Sequence, residues 1–399
     1  MTQSASRPTL VKWLVPLAAA CLILLLPVPD GLTPAAWRYT AVFVFVVVGL
    51  ITEPVAAPVI GFIGLCTAAV LRLVAPTPAA SVRWALSGFS NDVVWLGFCA
   101  TTFALGYEIP GLGRRIALLL VAKLGANTLG LGYAIAAADL VLAPFMPSNT
   151  ARSAGTIYPV VKSIPPLYGS TPAVQPRAIG GYLCWTAFAT TSVTSCMFAT
   201  ALAPNLFAAE LAGKIAGVQV GWMAWMTGAL PLGILLFVLT PAVSYVLYPP
   251  TIKRGPEVVT WAATELVAMG PISRREVTMA LLAVAALAGW IFGGAIMAPV
   301  IVSLIVVALM VITGVITWND VIGNRQGWNV LVWFATLVAM ADGLNQVGFL
   351  GWLAERSAAA LAGWSAVTIA VGLIALFFAI HYLFASTTAH ATAVLPAFL

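Results

Sequence analysis

The chain has 399 residues, of which 62% are hydrophobic and 8% are charged, with a net charge of +6 and a mean hydropathy of +1.04. This composition excludes an ordinary soluble domain, in which about 25% of the residues are charged, and it indicates a multi-pass membrane protein. The basic residues cluster between apolar runs, as in cytoplasmic loops, so the charge does not indicate nucleic-acid binding. The five cysteines have spacings that fit neither a disulfide framework nor a metal site, and the sequence predicts no metal or cofactor.

Apolar runs of about 20 residues predict nine membrane spans. In chain order they cover 11–29, 36–51, 55–75, 90–108, 178–207, 220–248, 278–294, 297–317 and 328–345. Two further apolar stretches, 131–163 and 366–399, are interrupted by polar motifs, and each predicts a re-entrant hairpin of two half-helices. With a cytoplasmic N-terminus most of the 18 basic residues fall inside, as the positive-inside rule requires. We therefore expect a multi-pass protein of the inner (plasma) membrane of a bacterium.

Two parts of the chain are related by one constant shift, the one that places Asn91 on Asn329. Without gaps the same shift aligns Trp95 with Trp333, Leu112 with Leu350, Gly113 with Gly351, and the motif Ser148–Arg152 with Ser386–His390. Five predicted spans begin between the two copies of the asparagine, which is an odd number, so we expect the second copy to run through the membrane in the opposite direction. The two hairpin tips would then enter from opposite faces and meet near the middle of the membrane.

The spans, hairpins and repeat together predict the domain organisation. The predicted parts are N-terminal scaffold spans at 1–89, a first repeat at 90–250 with a broken span at 178–207, a charged cytoplasmic connector at 251–276, and a second, inverted repeat at 277–399. The second copy stops at Leu399, shortly after Ser386, so it lacks counterparts of the two spans that follow the first hairpin. We therefore expect a chain that is truncated at its C-terminus.

The polar motif at each tip predicts an anion site. Serine, threonine and asparagine are preferred at helix N-termini, because their side-chain oxygens accept hydrogen bonds from free backbone N–H groups. Such an N-terminus carries roughly half a positive charge, so two opposed tips offer about +1 to a small dicarboxylate between them. The candidate substrate-binding residues of the tips are Ser148, Asn149, Thr150, Ser386, Thr387 and Thr388. A kinked helix with satisfied hydroxyls is the alternative for either motif alone.

The two helix N-termini leave part of the charge of a dicarboxylate uncompensated. Basic residues at matching positions after the two tips, Arg152 and His390, are candidates to compensate it. A co-transported sodium ion is the other way to complete the site. For Arg152 the alternative is a snorkelling arginine or a buried pair with Asp139, and for His390 it is a satisfied core histidine. A carrier with permanent positive charges would return slowly when empty, which predicts obligatory exchange of one anion for another.

Four stretches resemble the divalent anion/sodium symporter family: "GFSNDVVWLGFCATTFALGYEIPGLGRRIALLL", "LAPFMPSNTARSAGTIYPVVKS", "WTAFATTSVTS" and "HYLFASTTAHATA". Within that family they are similar to the anion-exchanger branch, which includes bacterial citrate/succinate and tartrate/succinate antiporters and plastid 2-oxoglutarate/malate translocators. The resemblance implies a homodimer in the lipid bilayer, with a static scaffold, a transport domain that moves like an elevator, and hairpin tips that grip the substrate.

The resemblance also bears on individual residues. It implies that the broken span adds hydroxyls to the site, with Thr191 and Ser192 as the candidates, although the hydroxyls there could equally bond to their own helix. In sodium-coupled members both tips read Ser-Asn-Thr, and each asparagine helps to form a sodium site. Here the first copy keeps Asn149 but the second has Thr387, which favours the sodium-independent branch.

Taken together, these features predict an all-α polytopic membrane protein with an inverted repeat and two re-entrant hairpins. The predicted function is antiport of di- or tricarboxylates such as succinate, malate, tartrate, citrate or 2-oxoglutarate. A sodium-coupled symporter and a non-transporting fragment are the alternatives. An intramembrane enzyme is disfavoured, because neither His381 nor His390 has the spacing of a catalytic or metal-ligating histidine. A channel would also have polar breaks, but it gives no reason for two capped tips related by inversion.

Overall fold

The computed structural model describes residues 10–293, 296–382, 384 and 387–399. These residues form helices connected by turns and loops. They contain no paired strands, and the only β-type pairing among them is an isolated bridge between Asn127 and Arg254. The first half contains α1 (Leu10–Leu25), α2 (Pro34–Thr52), α3 (Ala57–Val70), α4 (Pro78–Leu86), α5 (Asp92–Glu108), α6 (Leu112–Leu124), α7 (Thr128–Leu142), α8 (Tyr158–Ser163), α9 (Gly180–Met197) and α10 (Ala203–Ile215). The second half contains α11 (Trp222–Leu247), α12 (Pro256–Ala268), α13 (Arg274–Phe292), α14 (Pro299–Ile312), α15 (Trp318–Ile322), α16 (Arg325–Gln346), α17 (Phe349–Ala360), α18 (Ala366–His381) and α19 (Thr387–Phe398).

The predicted all-α membrane architecture is confirmed. Each of the nine predicted spans contains a helix, and the span expected at 178–207 consists of α9 and α10. Among the described residues, five helical segments are long and apolar enough to cross a membrane: α2, Thr128–Phe145, α11, α13 and α16. α5 and α6 also qualify as a pair, with a bend of 63° between them.

The chain divides into two compact units, and the first comprises the segment up to Trp95, Leu206–Val220 and Trp328–Leu399. Its core includes the contact between α2 and α16, where the fully buried Tyr39 donates a hydrogen bond of 2.6 Å to the carbonyl oxygen of Met340. Gly343 makes room for the ring, because a Cβ there would lie 2.1 Å from the Tyr39 hydroxyl. A buried tyrosine is stable in an apolar core when its hydroxyl has such a partner.

The second unit comprises Leu96–Asn205 and Gly221–Gly327. Trp290 of α13 is the centre of its aromatic core, with ring centroids 6.0 Å from Phe103, 6.3 Å from Phe145 and 5.8 Å from Trp222. Large aromatic side chains bury much apolar surface and favour such stacked and tilted contacts. Phe145 ends a short 3-10 turn directly before the first polar motif. The aromatic core therefore anchors the chain at the point where the motif begins.

The charged connector predicted at 251–276 packs against α6 and α7. Arg115 of α6 places its Nε 2.5 Å from Glu276 Oε1, and both side chains are almost completely buried. Glu276 also accepts a hydrogen bond of 2.7 Å from the Ser273 backbone N–H, which completes a capping box at the start of α13. At the other end of the connector, the Thr128 hydroxyl donates to the Ile252 carbonyl oxygen at 2.6 Å.

The helix pattern repeats along the chain. The Asn127 side chain caps α7 by accepting a hydrogen bond from the Gly130 N–H, and the Ser365 side chain caps α18 by accepting one from the Thr368 N–H. The shift that aligns Asn91 with Asn329 also aligns these two caps. Further upstream α2 and α13 each have 19 residues, and α3 and α14 each have 14.

Candidate functional site

The first polar motif lies at the tip of a helical hairpin. α7 ends in the 3-10 turn Ala143–Phe145, and a helical segment resumes with the π-helix Thr150–Ile157, which continues into α8. The chain folds back on itself at this break, because Asp139 before it contacts Arg152 after it. Thr156 and Leu142 also lie side by side against Gly113, where a Cβ would be 2.7 Å from the first and 3.8 Å from the second. A hairpin is therefore present in the predicted range 131–163, and its entry and exit by one membrane face stays a prediction.

Prolines and a serine account for the shape of the tip. Pro144 and Pro147 lack a backbone N–H, and Pro147 disfavours helical geometry in the residue before it, so that Met146 is extended. Ser148 then starts the returning helix: its hydroxyl accepts from the Ala151 N–H at 3.3 Å, and its carbonyl oxygen accepts from the Arg152 N–H at 2.9 Å. The returning helix therefore has its positive N-terminal end at the tip, as the motif predicted.

Arg152 and Asp139 form a buried ion pair between the two arms of the hairpin. The Arg152 Nε lies 3.2 Å from both carboxylate oxygens of Asp139. The exposed fractions of the two residues are 0% and 2%. A buried charge is costly unless a partner compensates it, and here each residue is the counterion of the other.

The other four N–H groups of Arg152 also have acceptors. Nη1 donates to the carbonyl oxygens of Met146 at 2.8 Å and Ala201 at 3.1 Å. Nη2 donates to the Asn149 amide oxygen at 3.2 Å and the Ser195 hydroxyl at 2.8 Å. Arg152 was predicted as a fixed cation that compensates the charge of the anion, with a buried pair with Asp139 as the alternative. The structure places it in that pair, and its role toward an anion stays a prediction.

Asn149 has a defined orientation at the tip. Its side-chain atom facing Arg152 must be the oxygen, because a guanidinium group can only donate hydrogen bonds. The same oxygen accepts from the Ser195 hydroxyl at 2.5 Å. The amide nitrogen of Asn149 makes no hydrogen bond to the described part of the chain, and the residue is partly exposed. The tip therefore presents two N–H donors of this amide together with the helix N-terminus.

The hydroxyls of α9 divide between two faces of the helix. Thr191 donates to one carboxylate oxygen of Asp139 at 3.1 Å, and the Thr194 hydroxyl is bonded to the other. Ser192, the neighbour of Thr191, lies on the exposed face and donates to the carbonyl oxygen of Phe188 at 3.3 Å. Of the two predicted candidates, the structure thus brings Thr191 to the tip, as a partner of the ion pair, and not Ser192.

The break in the span lies after these hydroxyls and not among them. α9 continues unbroken to Met197, and the non-helical backbone surrounds the 3-10 turn Ala199–Ala201. This turn meets the hairpin tip, because the Thr200 hydroxyl donates to the Pro144 carbonyl oxygen at 2.6 Å and the Ala203 N–H donates to that of Pro147 at 3.2 Å. The broken span and the tip therefore form one hydrogen-bonded assembly.

The second polar motif follows α18 and begins α19 at Thr387. Thr387 is exposed and Thr388 is half-buried, while Ser386 lies outside the described residues. His390 is buried, and its ring centroid lies 4.3 Å from that of Phe377 and 4.9 Å from that of His381. A second helical hairpin within the predicted range 366–399 is thus in place, with a histidine where the first hairpin has Arg152.

Asp139 is the main residue of the site that sequence reasoning left out. It entered the sequence analysis only as the alternative buried partner of Arg152. Its signal was its isolation in the apolar run 131–143, which leads directly into the motif that contains Arg152. An ionisable residue in such a run marks a functional site by default, with a buried partner of opposite charge.

Comparisons with known proteins show what this chain is similar to. The family model of the sodium:sulfate symporter transmembrane region matches residues 7–399. The L-tartrate/succinate antiporter of Escherichia coli (strain K12) is 46% identical over 398 residues, which cover 96% of this chain and 82% of that protein. Proteins with the same name from Shigella flexneri and Shigella sonnei are 46% and 45% identical with the same coverage. The resemblance inferred from the motifs is thereby confirmed.

Proposed function

Since the chain belongs to the sodium:sulfate symporter family, the divalent anion/sodium symporters, we propose that it exchanges small dicarboxylates across the membrane without sodium. A member of this family is a carrier and not an enzyme. The substrates follow from the named relatives, which are antiporters of L-tartrate and succinate.

The observation that supports sodium-independent exchange is the position of the Arg152 guanidinium. Sodium ions are bound by oxygen atoms, and the tip and α9 supply several of them. The Asn149 amide oxygen and the hydroxyls of Thr191 and Ser195 all accept hydrogen bonds from Nη2 of Arg152. A permanent cation of the protein therefore already uses the oxygens that a sodium ion would need here.

The exposed side of the first hairpin tip would recognise the anion. The amide nitrogen of Asn149, the hydroxyls of Ser148 and Thr150 and the helix N-terminus are donors suited to one carboxylate. Ser386, Thr387 and Thr388 of the second motif would be donors of the same kind for a carboxylate. A helix N-terminus supplies roughly half a positive charge to such a group.

In this proposal, a protonated His390 compensates the negative charge of the dicarboxylate that the helix N-termini leave uncompensated. The charge of Arg152 is cancelled by Asp139, whereas the rings packed on His390 are those of Phe377, His381 and Phe384, none of which is an acid. A protonated His390 would therefore add a net positive charge beside the second tip. The homodimer, the elevator movement, the location in the bacterial inner membrane and the inverted orientation of the second repeat belong to the same proposal.

Transport in proteoliposomes tests the proposal. Vesicles containing the purified chain are loaded with succinate, with tartrate or with no anion, and the uptake of labelled succinate is measured with sodium or potassium outside. We expect uptake only when an internal dicarboxylate is present, at equal rates in the two salts. Sodium-dependent uptake into empty vesicles would show the symporter alternative to be correct.

A further inference from the structure

We infer that Asp139 sets the preference of the carrier for divalent over trivalent anions. It does so by cancelling the positive charge of Arg152. This inference rests on the proposed dicarboxylate exchange. Asp139 is a positioning and charge-setting residue in this view, since its contacts are with Arg152 and α9 and not with the exposed side of the tip.

The contacts of Asp139 show an ionised carboxylate with a complete set of partners. Arg152 Nε lies 3.2 Å from both of its oxygens, and the hydroxyls of Thr191 and Thr194 bind one oxygen each. All of these groups are buried, so water screens the pair little. The pair has no net charge, and the tip is left with the partial charge of its helix N-terminus.

The charge of Arg152 is close enough to a bound anion to matter. The guanidinium donates to the Asn149 amide oxygen at 3.2 Å, and the amide nitrogen on the other side of that group faces the proposed ligand. A single amide thus separates the guanidinium from the anion, a distance over which an uncancelled buried charge still acts strongly. Without Asp139 the site would gain a full positive charge.

The internal repeat shows that a hairpin of this kind forms without an acid at this position. The same shift that relates Arg152 to His390 also relates Asp139 to Phe377. The geometric pairing is kept, because the ring centroids of Phe377 and His390 are 4.3 Å apart. The difference between the copies lies in charge: the first pair carries two opposite charges, and the second carries one titratable base with an aromatic neighbour.

Exchange of succinate and tricarballylate tests the inference. Tricarballylate is succinate with one additional carboxymethyl arm, and uptake of each labelled anion into succinate-loaded proteoliposomes is measured at a pH where all carboxyl groups are ionised. For Asp139→Asn we expect the ratio of kcat/KM for tricarballylate to that for succinate to rise on the order of tenfold or more. Asp139→Glu, which keeps the charge, should keep the ratio of the wild type.

The double variant Asp139→Asn with Arg152→Gln separates charge from packing. It has the same net charge as the wild-type pair and keeps a hydrogen-bond donor at residue 152, so it should return the ratio to within about twofold of the wild type. The inference is overturned if Asp139→Asn lowers the exchange of both anions equally. It is also overturned if the double variant prefers the trivalent anion, and this second outcome can be measured even if the single variant does not fold. Wild-type vesicles that exchange no dicarboxylate would instead overturn the proposed function.

Discussion

Asn149 and Ser195 are joined by a hydrogen bond of 2.5 Å between the amide oxygen of the first and the hydroxyl of the second. The two residues are 46 positions apart, one at the hairpin tip and the other near the end of α9. Because Arg152 donates to the same oxygen, the amide cannot rotate without losing both bonds. The bond therefore holds the N–H groups of Asn149 on the exposed side of the tip.

Replacing this amide by a carboxylate should abolish anion recognition while keeping the fold. In Asn149→Asp one oxygen can still accept from Arg152 and Ser195, but the outward N–H donors become a second oxygen with negative charge. A like charge beside a bound carboxylate costs several kcal/mol, so we expect KM for succinate exchange to rise at least about 100-fold.

The matched control for this prediction is Thr240→Ala. Thr240 is a half-buried residue of α11, and within the described residues its hydroxyl donates to the Leu236 carbonyl oxygen of its own helix, at 2.7 Å. Its removal should leave exchange unchanged. Asn149→Asp protein that exchanges succinate with the wild-type KM would contradict the role of the amide.

Much of the fold could be predicted because apolar runs and prolines act locally. The span predicted at 328–345 is the helix Arg325–Gln346, and Pro144 and Pro147 mark the tip of the first hairpin. Tertiary packing decides the remaining details. Thr191 and Ser192 are adjacent and chemically alike, but successive residues of a helix point about 100° apart, and only the neighbouring α7 decides that Thr191 faces Asp139.

The position of the span break was equally beyond local reasoning. The break was expected in the hydroxyl-rich span 178–207, but α9 runs unbroken past Thr194 and Ser195, whose hydroxyls donate to Asp139 and Asn149. The break follows Met197, where the chain contains no glycine and only Pro204 signals the start of the next helix. The contacts of Thr200 and Ala203 with the tip hold this turn in place.

The packing of α6 on the hairpin should depend on Gly113. A Cβ at this position would lie 2.7 Å from the Thr156 methyl group, which is too close without a shift of the returning helix. We expect Gly113→Ala to lower the free energy of unfolding by about 1–3 kcal/mol, measured by thermal unfolding in detergent.

Its repeat counterpart Gly351 offers the matched control. No atom lies within 4 Å of a Cβ built on Gly351 among the described residues, and the position is within α17. Gly351→Ala should therefore be neutral or stabilise the protein by about 0.5–1 kcal/mol through helix propensity. Equal losses of thermal stability in both variants would contradict the predicted contact with Thr156.

The contact between the tip and the broken span should depend on the Thr200 hydroxyl. This group donates to the Pro144 carbonyl oxygen at 2.6 Å and accepts from Trp222 Nε1 at 3.1 Å. Thr200→Val keeps the shape but leaves two buried polar groups without partners, each at a cost of about 1–3 kcal/mol. We expect lower thermal stability and a higher KM for succinate.

Thr227→Val is the corresponding control, because Thr227 is exposed and, in the part of the chain that the structure describes, its hydroxyl bonds to carbonyl oxygens of its own helix. It should change neither quantity. If Thr200→Val protein matches this control in both measurements, the broken span does not support the tip through this hydroxyl.

Two adjacent arginines of α6 should differ sharply in their contribution to stability. Arg115 forms a buried pair with Glu276 at 2.5 Å, whereas Arg114 pairs with Glu265 at 2.6 Å with more than half of its own side chain exposed. Removing one partner of a buried pair leaves an uncompensated charge and costs about 3–5 kcal/mol, whereas an exposed pair contributes about 0–1 kcal/mol. We therefore expect Arg115→Ala to lower the thermal unfolding temperature strongly and Arg114→Ala to leave it nearly unchanged. Equal effects of the two arginine variants would contradict the burial of the Arg115 pair.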